Sequence, residues 1–140
     1  MQIATSHLGD MLEFVRIQAP VAAGQATTNS TGVDTNDCTG VLFVVGISTI
    51  VSTGTVTITA QESDDNSSYS AISGASVAYT DSDDNKLAIL DIRNFSKRYV
   101  RVSIVTATAN GTIDLGVAIK YGMEATPVTQ GATVMSLDKT

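Results

Sequence analysis

The alternation of apolar and polar positions along this 140-residue chain is typical of β-strands rather than of helices. It is clearest at 54–63, GTVTITAQES, where Val56, Ile58 and Ala60 alternate with polar side chains. Successive side chains of a strand point to opposite faces, so this segment predicts a strand with one buried and one exposed face. Further strands are predicted at 11–19, 41–48, 69–74, 86–92, 99–107 and 113–121, with a last extended piece at 132–138.

Two segments carry more specific signals. VLFVVGIS, 41–48, is almost continuously apolar, which predicts a central strand covered on both faces, or one bounded by a bulge at Gly46. Asn110-Gly111 lies between the last two of the predicted strands. This dipeptide is the strongest short hairpin signal in the sequence and predicts that those two strands pair.

The fold class predicted from these segments is all-β: a single antiparallel β-sandwich of seven to nine short strands, in immunoglobulin-like or jelly-roll order. Val, Ile and Thr make up about a third of the residues, and these side chains favour strands. The chain has the length of one domain. We predict an irregular N-terminal arm at 1–10 and the sandwich at 11–140, with a long loop at 20–40 that carries a short strand near 32–35.

Ser-Asp-Asp-Asn occurs twice, at 63–66 and 82–85. Each copy precedes a predicted strand, and Asp and Asn hydrogen-bond readily to their own backbone, so both copies are predicted to be turns. A calcium site formed by Asp81, Asp83 and Asp84 is the alternative, because Ca²⁺ prefers carboxylate oxygens. The EF-hand pattern is absent, since its glycine and distal glutamate are missing.

Little else in the sequence points to chemistry. The single cysteine, Cys38, excludes an intrachain disulfide and a thiolate zinc cluster, and the single histidine, His7, excludes a His-rich metal site. No cofactor is predicted. Carboxylates on exposed turns lack the burial that would separate their pKa values, so no enzyme is predicted. The longest apolar run is far too short for a membrane span, and we read no signal peptide in the first residues.

The charge of the chain is unevenly distributed. Residues 1–85 contain ten acidic side chains and one basic one, whereas residues 86–140 contain seven basic and four acidic ones. The total of −6 argues against general nucleic-acid binding, because a net acidic chain repels phosphate. The layout instead favours self-assembly, in which basic residues of one copy meet acidic turns of another.

Four of the basic residues lie within RNFSKRYVR, 93–101. One interpretation is a solvated loop that leads into an edge strand, whose outward Arg101 discourages edge pairing. The other is an interface strip for an acidic partner, with Tyr99 as its anchor, because tyrosine and arginine are enriched at interfaces. The residues of this strip are Arg93, Lys97, Arg98, Tyr99 and Arg101.

Residues 40–128 resemble small virion proteins of tailed bacteriophages. The likeness is carried by the alternating strand that ends in Gln61-Glu62-Ser63 and an acidic turn, and by the later Arg98-Tyr99-Val100-Arg101. It continues through GTIDLGVAIKYG and a closing TPV. The first 40 residues do not match.

The resemblance implies a decoration or cement protein: a subunit made in the bacterial cytoplasm that sits on the virion surface and clamps neighbouring major capsid proteins. Such proteins are often trimers or other homo-oligomers. The arm would then contact the capsid through Met1, Gln2, Ile3 and His7. A tail, baseplate or fibre-attachment component is the alternative, as is a carbohydrate-binding sandwich if Tyr69, Tyr79 and Tyr121 share one exposed face. No nucleic-acid or membrane partner is predicted.

Overall fold

The computed structural model describes residues 7–134, which fold into ten strands, one α-helical turn, α1 (Leu8–Met11), and one 3-10 turn (Asp81–Asp83). Apolar and polar residues alternate along most of these strands because each strand buries one of its faces. The strands are β1 (Glu13–Gln18), β2 (Val21–Gly24), β3 (Thr27–Asn29), β4 (Val33–Asp34), β5 (Gly40–Ile50), β6 (Thr55–Ser63), β7 (Ser70–Thr80), β8 (Lys86–Ile92), β9 (Tyr99–Ala107) and β10 (Gly111–Tyr121).

The strands form two antiparallel sheets packed face to face, which confirms the predicted β-sandwich. Sheet I has the order β1-β10-β5-β8, and β2 also pairs with β10. Sheet II has the order β3-β9-β6-β7, and β4 also pairs with β9.

The core lies between the sheets and is built from the alternate, inward-facing side chains of both. Phe43 of β5 and Ile58 of β6 are fully buried at its centre. Aliphatic residues surround them: Ile17, Val33, Val41, Val45, Ile47, Ile50, Val56, Ala60, Ala88, Leu90, Ile92, Val100, Val102, Ile104, Ile113 and Ala118.

The free edges of the two sheets differ. The edge of β1 is covered by the C-terminal segment, since the Phe14 N–H donates to the Gln130 side chain (2.9 Å) and the Arg16 N–H to the Thr133 hydroxyl (3.4 Å). At the other side of the sandwich, β7 and β8 lie beside an open groove of about 250 Å³. Each of these two strands pairs on one side only.

The predicted strands at 54–63, 86–92 and 99–107 are confirmed nearly to the residue. The strand predicted at 69–74 continues to Thr80 as β7. Gly74 marked the expected end, but it adopts a φ of +77° within β7. It lies close to the irregularity in the register with β6 between Thr59 and Gln61. Glycine tolerates that dihedral without strain, so the strand bends there and goes on.

The predicted hairpin at Asn110-Gly111 is wrong. β9 belongs to sheet II and β10 to sheet I, so the connection crosses the core instead of pairing neighbours. Gly111 is needed for close approach: a Cβ there would lie 2.9 Å from Thr106 Cγ2 and 3.1 Å from Val56 Cγ2. The positive φ of this turn falls on Thr108.

The long loop predicted at 20–40 is also wrong in part. It contains β2, β3 and β4, which add strands to β10 and β9, and β4 is the short strand expected near 32–35. These strands have two to four residues each, too few for periodicity to show. In the predicted arm, Leu8–Met11 form one helical turn, while residues 1–6 lie outside the described part of the chain.

Candidate interaction surface

The predicted basic strip is divided between the two sheets, because residues 93–98 cross from β8 of sheet I to β9 of sheet II. Arg93 lies beside sheet I, where its Nε donates to the Tyr121 hydroxyl (3.0 Å). The remaining members gather at one end of sheet II. β9 lies between β6 and the short β3 and β4, so the interpretation of β9 as an edge strand is wrong.

Arg98 is held in place by two neighbours at this end of sheet II. Its Nε and Nη2 donate to the two carboxylate oxygens of Asp34 at 3.1 and 2.8 Å. Its guanidinium also lies 5.2 Å from the centre of the Tyr99 ring. β4 brings Asp34 opposite Tyr99. The hydrogen bonds from Arg98 hold the pKa of Asp34 below its usual range.

Arg101 makes the same two kinds of contact, one with a tyrosine ring and one with a polar side chain. Its guanidinium stacks 3.9 Å from the centre of the Tyr69 ring, and its Nε donates to the Gln61 side chain (2.8 Å). The Tyr69 hydroxyl donates to Asn66. Gly32 makes room for this contact, since a Cβ there would approach the Tyr69 hydroxyl to 2.1 Å. We call Tyr69, Arg98, Tyr99 and Arg101 the arginine–tyrosine patch.

Glu62 fixes the segment that carries this patch. Its carboxylate accepts hydrogen bonds from the Ser96 N–H (2.7 Å) and the Ser96 hydroxyl (2.8 Å). Partial burial raises the pKa of Glu62, but these hydrogen bonds outweigh it and leave the pKa below its ordinary value. Lys97 adds a contact to the hydroxyl of Ser70 on β7 (3.3 Å).

Both copies of Ser-Asp-Asp-Asn are turns, as predicted. In the first, Asp65 accepts from the N–H groups of Ser67 and Ser68 at 2.9 and 2.7 Å. These bonds lower the pKa of Asp65. The turn connects β6 to β7 and presents Asn66 to Tyr69.

The second copy forms a short 3-10 turn at Asp81–Asp83. Asp83 accepts from the Thr80 N–H (2.9 Å) and pairs with Lys86 (2.6 Å), and Asp84 accepts from the Ile50 N–H (2.7 Å). Between residues 7 and 134, no three His, Cys, Asp or Glu side chains are grouped to hold a metal ion. The calcium hypothesis for Asp81, Asp83 and Asp84 therefore gains no support from the described residues.

The sequence reasoning missed a buried cation, Lys120. Its ammonium lies 2.6 Å from Asp37 and 2.9 Å from Glu13, and its side chain is only 7% exposed. Burial alone would lower the pKa of Lys120, but the two carboxylates raise it overall. The alternation of side chains along β10 could have revealed this buried lysine, because it puts Lys120 on the same inward face as Ala118.

The single cysteine and the single histidine lie in different surroundings. Cys38 is half-buried, and burial raises the pKa of its thiol to about 11, which keeps it protonated and unreactive. His7 precedes α1 and its N–H donates to Asp10 (3.2 Å). Met1, Gln2 and Ile3, predicted to contact the capsid, lie outside the described residues.

The three tyrosines of the carbohydrate-binding alternative do not share a face. Tyr69 lies on the outside of sheet II against Arg101, whereas Tyr121 lies on the outside of sheet I over Gly40. Tyr79 packs against the core. Tyr69 and Tyr99 come together instead, and an arginine lies over each of their rings. Residues 7–134 include no helix that is long and apolar enough to cross a membrane.

No protein-family model matches the sequence, and no curated protein matches it significantly. The fold is similar to the crystal structure of the PBSX exported protein XepA, with a TM-score of 0.58 at 18% identity. The alignment covers 98% of this chain and 46% of XepA, so the chain spans less than half the length of that protein. Bacillus endospore appendages, which form a novel family of disulfide-linked pili, match with a TM-score of 0.45 at 13% identity, over 87% of this chain and 99% of theirs.

Proposed function

We propose that this chain is a non-enzymatic structural subunit of a bacteriophage or phage-derived particle. Within that class, we propose that it decorates the outer capsid surface and stabilises the shell by clamping neighbouring major capsid proteins. The fold similarity to XepA, an exported protein of the prophage PBSX, supports a phage-related role. The sequence resemblance to small virion proteins of tailed phages supports the same class.

The observation that carries the proposal is the arginine–tyrosine patch. Tyrosine and arginine are the side chains that most often dominate the binding energy of protein interfaces. Here each arginine is already fixed against a ring and a polar partner. Fixed side chains lose less conformational entropy when a partner binds. The patch is therefore suited to an acidic, hydrogen-bonding surface on another particle protein.

Repetition would strengthen such contacts. A contact of modest affinity, made by every copy on a symmetric lattice, retains a subunit far more firmly than one contact alone. A decoration protein therefore does not need a large interface for each copy. The patch occupies only one end of sheet II, which fits this mode of attachment.

The test is to purify particles that contain this chain and to measure its copy number by quantitative mass spectrometry and its position by cryo-electron microscopy. We expect hundreds of copies on the outside of the head. We also expect the double variant Arg98→Gln/Arg101→Gln to lose at least about 10-fold in retention, which corresponds to ~1.4 kcal/mol of contact energy.

Lys86→Gln is the matched control, because Lys86 is also an exposed cation paired with a carboxylate (Asp83, 2.6 Å) but lies at the opposite end of the sandwich. It should leave retention unchanged. A dozen or fewer copies at the tail would replace decoration by a tail, baseplate or fibre role. Absence of the chain from all particles would overturn the proposal entirely.

A further inference from the structure

The outer face of sheet I is apolar across all four of its main strands. The register puts Phe14, Ile119 and Leu42 side by side in one row, which ends at Asp91. The next row contains Arg16, Val117, Val44 and Ile89. In the third row Leu87 lies opposite Gly46, and the side chain of Asp114 lies over Gly46 at the end of the apolar area. We call this set of seven apolar side chains the sheet I face: Phe14, Leu42, Val44, Leu87, Ile89, Val117 and Ile119.

These side chains point away from the core. Their neighbours along each strand, such as Val41, Phe43 and Val45 of β5, are fully buried, and side chains alternate between faces. Leu87 and Ile89 are 63% and 57% exposed, and the other five side chains of the face are half-buried. The described C-terminal segment runs along the edge of β1, where it bonds to the backbone of that strand.

The sequence of β5 is that of a strand covered on both faces. Its near-continuous apolar run predicts such cover, and sheet II covers only the inner face. Contiguous apolar surface of this extent is uncommon on monomeric proteins and marks interaction sites. An occupant for the sheet I face is therefore expected.

We infer that the occupant is a second copy of this chain, packed sheet I against sheet I in a two-fold dimer. The four strands contain 35 residues, and each covers roughly 16 Å² of the sheet plane at the usual rise and spacing. The projected area is thus about 550 Å², and protruding side chains add to it. A stable interface buries ~600–1,000 Å² on each partner.

The charges at the margins of the face select one arrangement. Arg16 lies on β1 and Asp91 on β8, at opposite sides of the sheet and one row apart. A two-fold axis along the strands puts β1 of each copy over β8 of the other, and so brings Arg16 within reach of Asp91 of the second copy. An axis across the strands would put β1 over β1, with Arg16 near its own symmetry mate. No ion pair joins Arg16 to any other residue in the range 7–134.

Aromatic and charged side chains line one margin of the same face. The Tyr121 ring lies over Gly40, where a Cβ would approach its ring to 2.2 Å. Its hydroxyl donates to Asp91 and accepts from Arg93 Nε (3.0 Å). An apolar centre with a polar, tyrosine-containing margin is the usual anatomy of a protein interface.

This dimer is separate from the arginine–tyrosine patch and does not depend on the proposed function. The test is sedimentation equilibrium of the purified chain up to about 200 µM, a range in which dissociation constants as weak as ~0.1 mM are measurable. We expect a dimer. Leu87→Glu/Ile89→Glu should weaken it about 100-fold, because β8 of one copy packs against β1 of the other and two charges would be buried there without partners.

Val105→Glu is the control, since it introduces one glutamate in place of an exposed valine (37%) on the outside of sheet II. It should leave the dimer unchanged. Both variants alter exposed positions, and circular dichroism will verify that they fold. Arg16→Asp should also weaken the dimer, and the swap Arg16→Asp/Asp91→Arg should recover at least half of the loss in free energy of association.

Three results would overturn the inference. The first is a monomer at every concentration, the second a dimer that Leu87→Glu/Ile89→Glu does not affect. The third is a particle in which a different protein covers the sheet I face, which would assign the face to that protein.

Discussion

The outer faces of the two sheets have opposite character, although both sheets bury similar aliphatic side chains between them. The outside of sheet I presents Phe, Leu, Val and Ile side chains in three adjacent rows. The outside of sheet II presents a threonine ladder on β6, opposite one valine, Val105, and otherwise small or polar side chains of its neighbours: Thr55, Thr57, Thr59, Ser76, Ala78, Thr80, Ser103 and Ala107. The first face is typical of an interface, whereas the second, apart from the arginine–tyrosine patch at one end, is typical of a solvated surface.

The contrast shows that burial in the core does not account for all the apolar residues of this chain. β6 needs only its alternate positions to be apolar, and those positions are Val56, Ile58 and Ala60. β5 is equally central but apolar on both sides. The surplus on sheet I therefore reflects a requirement outside the sandwich, which the proposed dimer meets.

The largest effect on stability is expected at Lys120, a buried cation that sheet I turns inward between two carboxylates. Lys120→Ala leaves Glu13 and Asp37 facing a part-buried site without their cation, and should lower the free energy of unfolding by ~2–4 kcal/mol. Urea denaturation measures it. Lys86→Ala, which removes an exposed ion pair, should cost less than about 1 kcal/mol. Equal losses in the two variants would contradict a structural role for the buried ion triad.

A smaller loss is expected at Glu62, which orders the polar end of sheet II. Glu62→Gln removes the charge that accepts two hydrogen bonds from Ser96, and should cost about 1 kcal/mol at neutral pH. Amide hydrogen exchange at residues 94–98 should increase, while exchange in β5 and β10 stays as it is. Unchanged protection of 94–98 would show that Glu62 does not hold this segment.

Acid should loosen the same end of the molecule. The folded pKa values of Glu62 and Asp34 lie below their ordinary values of 4.5 and 3.8. The two carboxylates therefore stabilise the fold fully above pH ~4.5, and this stabilisation is lost as the pH falls through their lowered pKa values. The free energy of unfolding should decrease as the pH is lowered below ~4.5, and it should decrease less steeply in Glu62→Gln than in the unsubstituted protein. An identical slope in the two proteins would show that Glu62 does not contribute to this loss of stability in acid.

The smallest effects on monomer stability are expected when one outward apolar residue of sheet I is made polar, or one outward polar residue of sheet II is made apolar. Val44→Thr on sheet I and Thr57→Val on sheet II each change one outward position, and each should alter the unfolding free energy of the monomer by less than about 1 kcal/mol. Association should respond only to Val44→Thr. A larger loss of monomer stability in Val44→Thr than in Thr57→Val would indicate that Val44 packs within the sandwich.

Regular strands were predictable because they bury one face. The alternation at 54–63 predicted a strand together with its inward residues, and the strand at 86–92 was predicted with its bounds. The partner of each strand was not predictable in the same way: Asn110-Gly111 has the composition of a hairpin turn, but its flanking strands join different sheets. Pairing across a sandwich depends on long-range packing, which local turn chemistry does not encode.

The candidate surface was predictable only in part. RNFSKRYVR identified the arginines and Tyr99, but not that Arg93 would be separated from them by the crossing between sheets. Tyr69 joins the patch from the first acidic turn, 30 positions from Tyr99 in sequence. The sheet I face was signalled by the unbroken apolar run of β5, which the sequence alone could not distinguish from ordinary double burial.

The most direct test of the account is hydroxyl-radical footprinting of the chain, dilute, concentrated and within its particle. We expect Leu87 and Ile89 to lose reactivity on concentration alone, and Tyr69 and Tyr99 to lose it only in the particle. Persistent reactivity of Leu87 and Ile89 at high concentration, or of both tyrosines in the particle, would contradict the division of roles between the two faces.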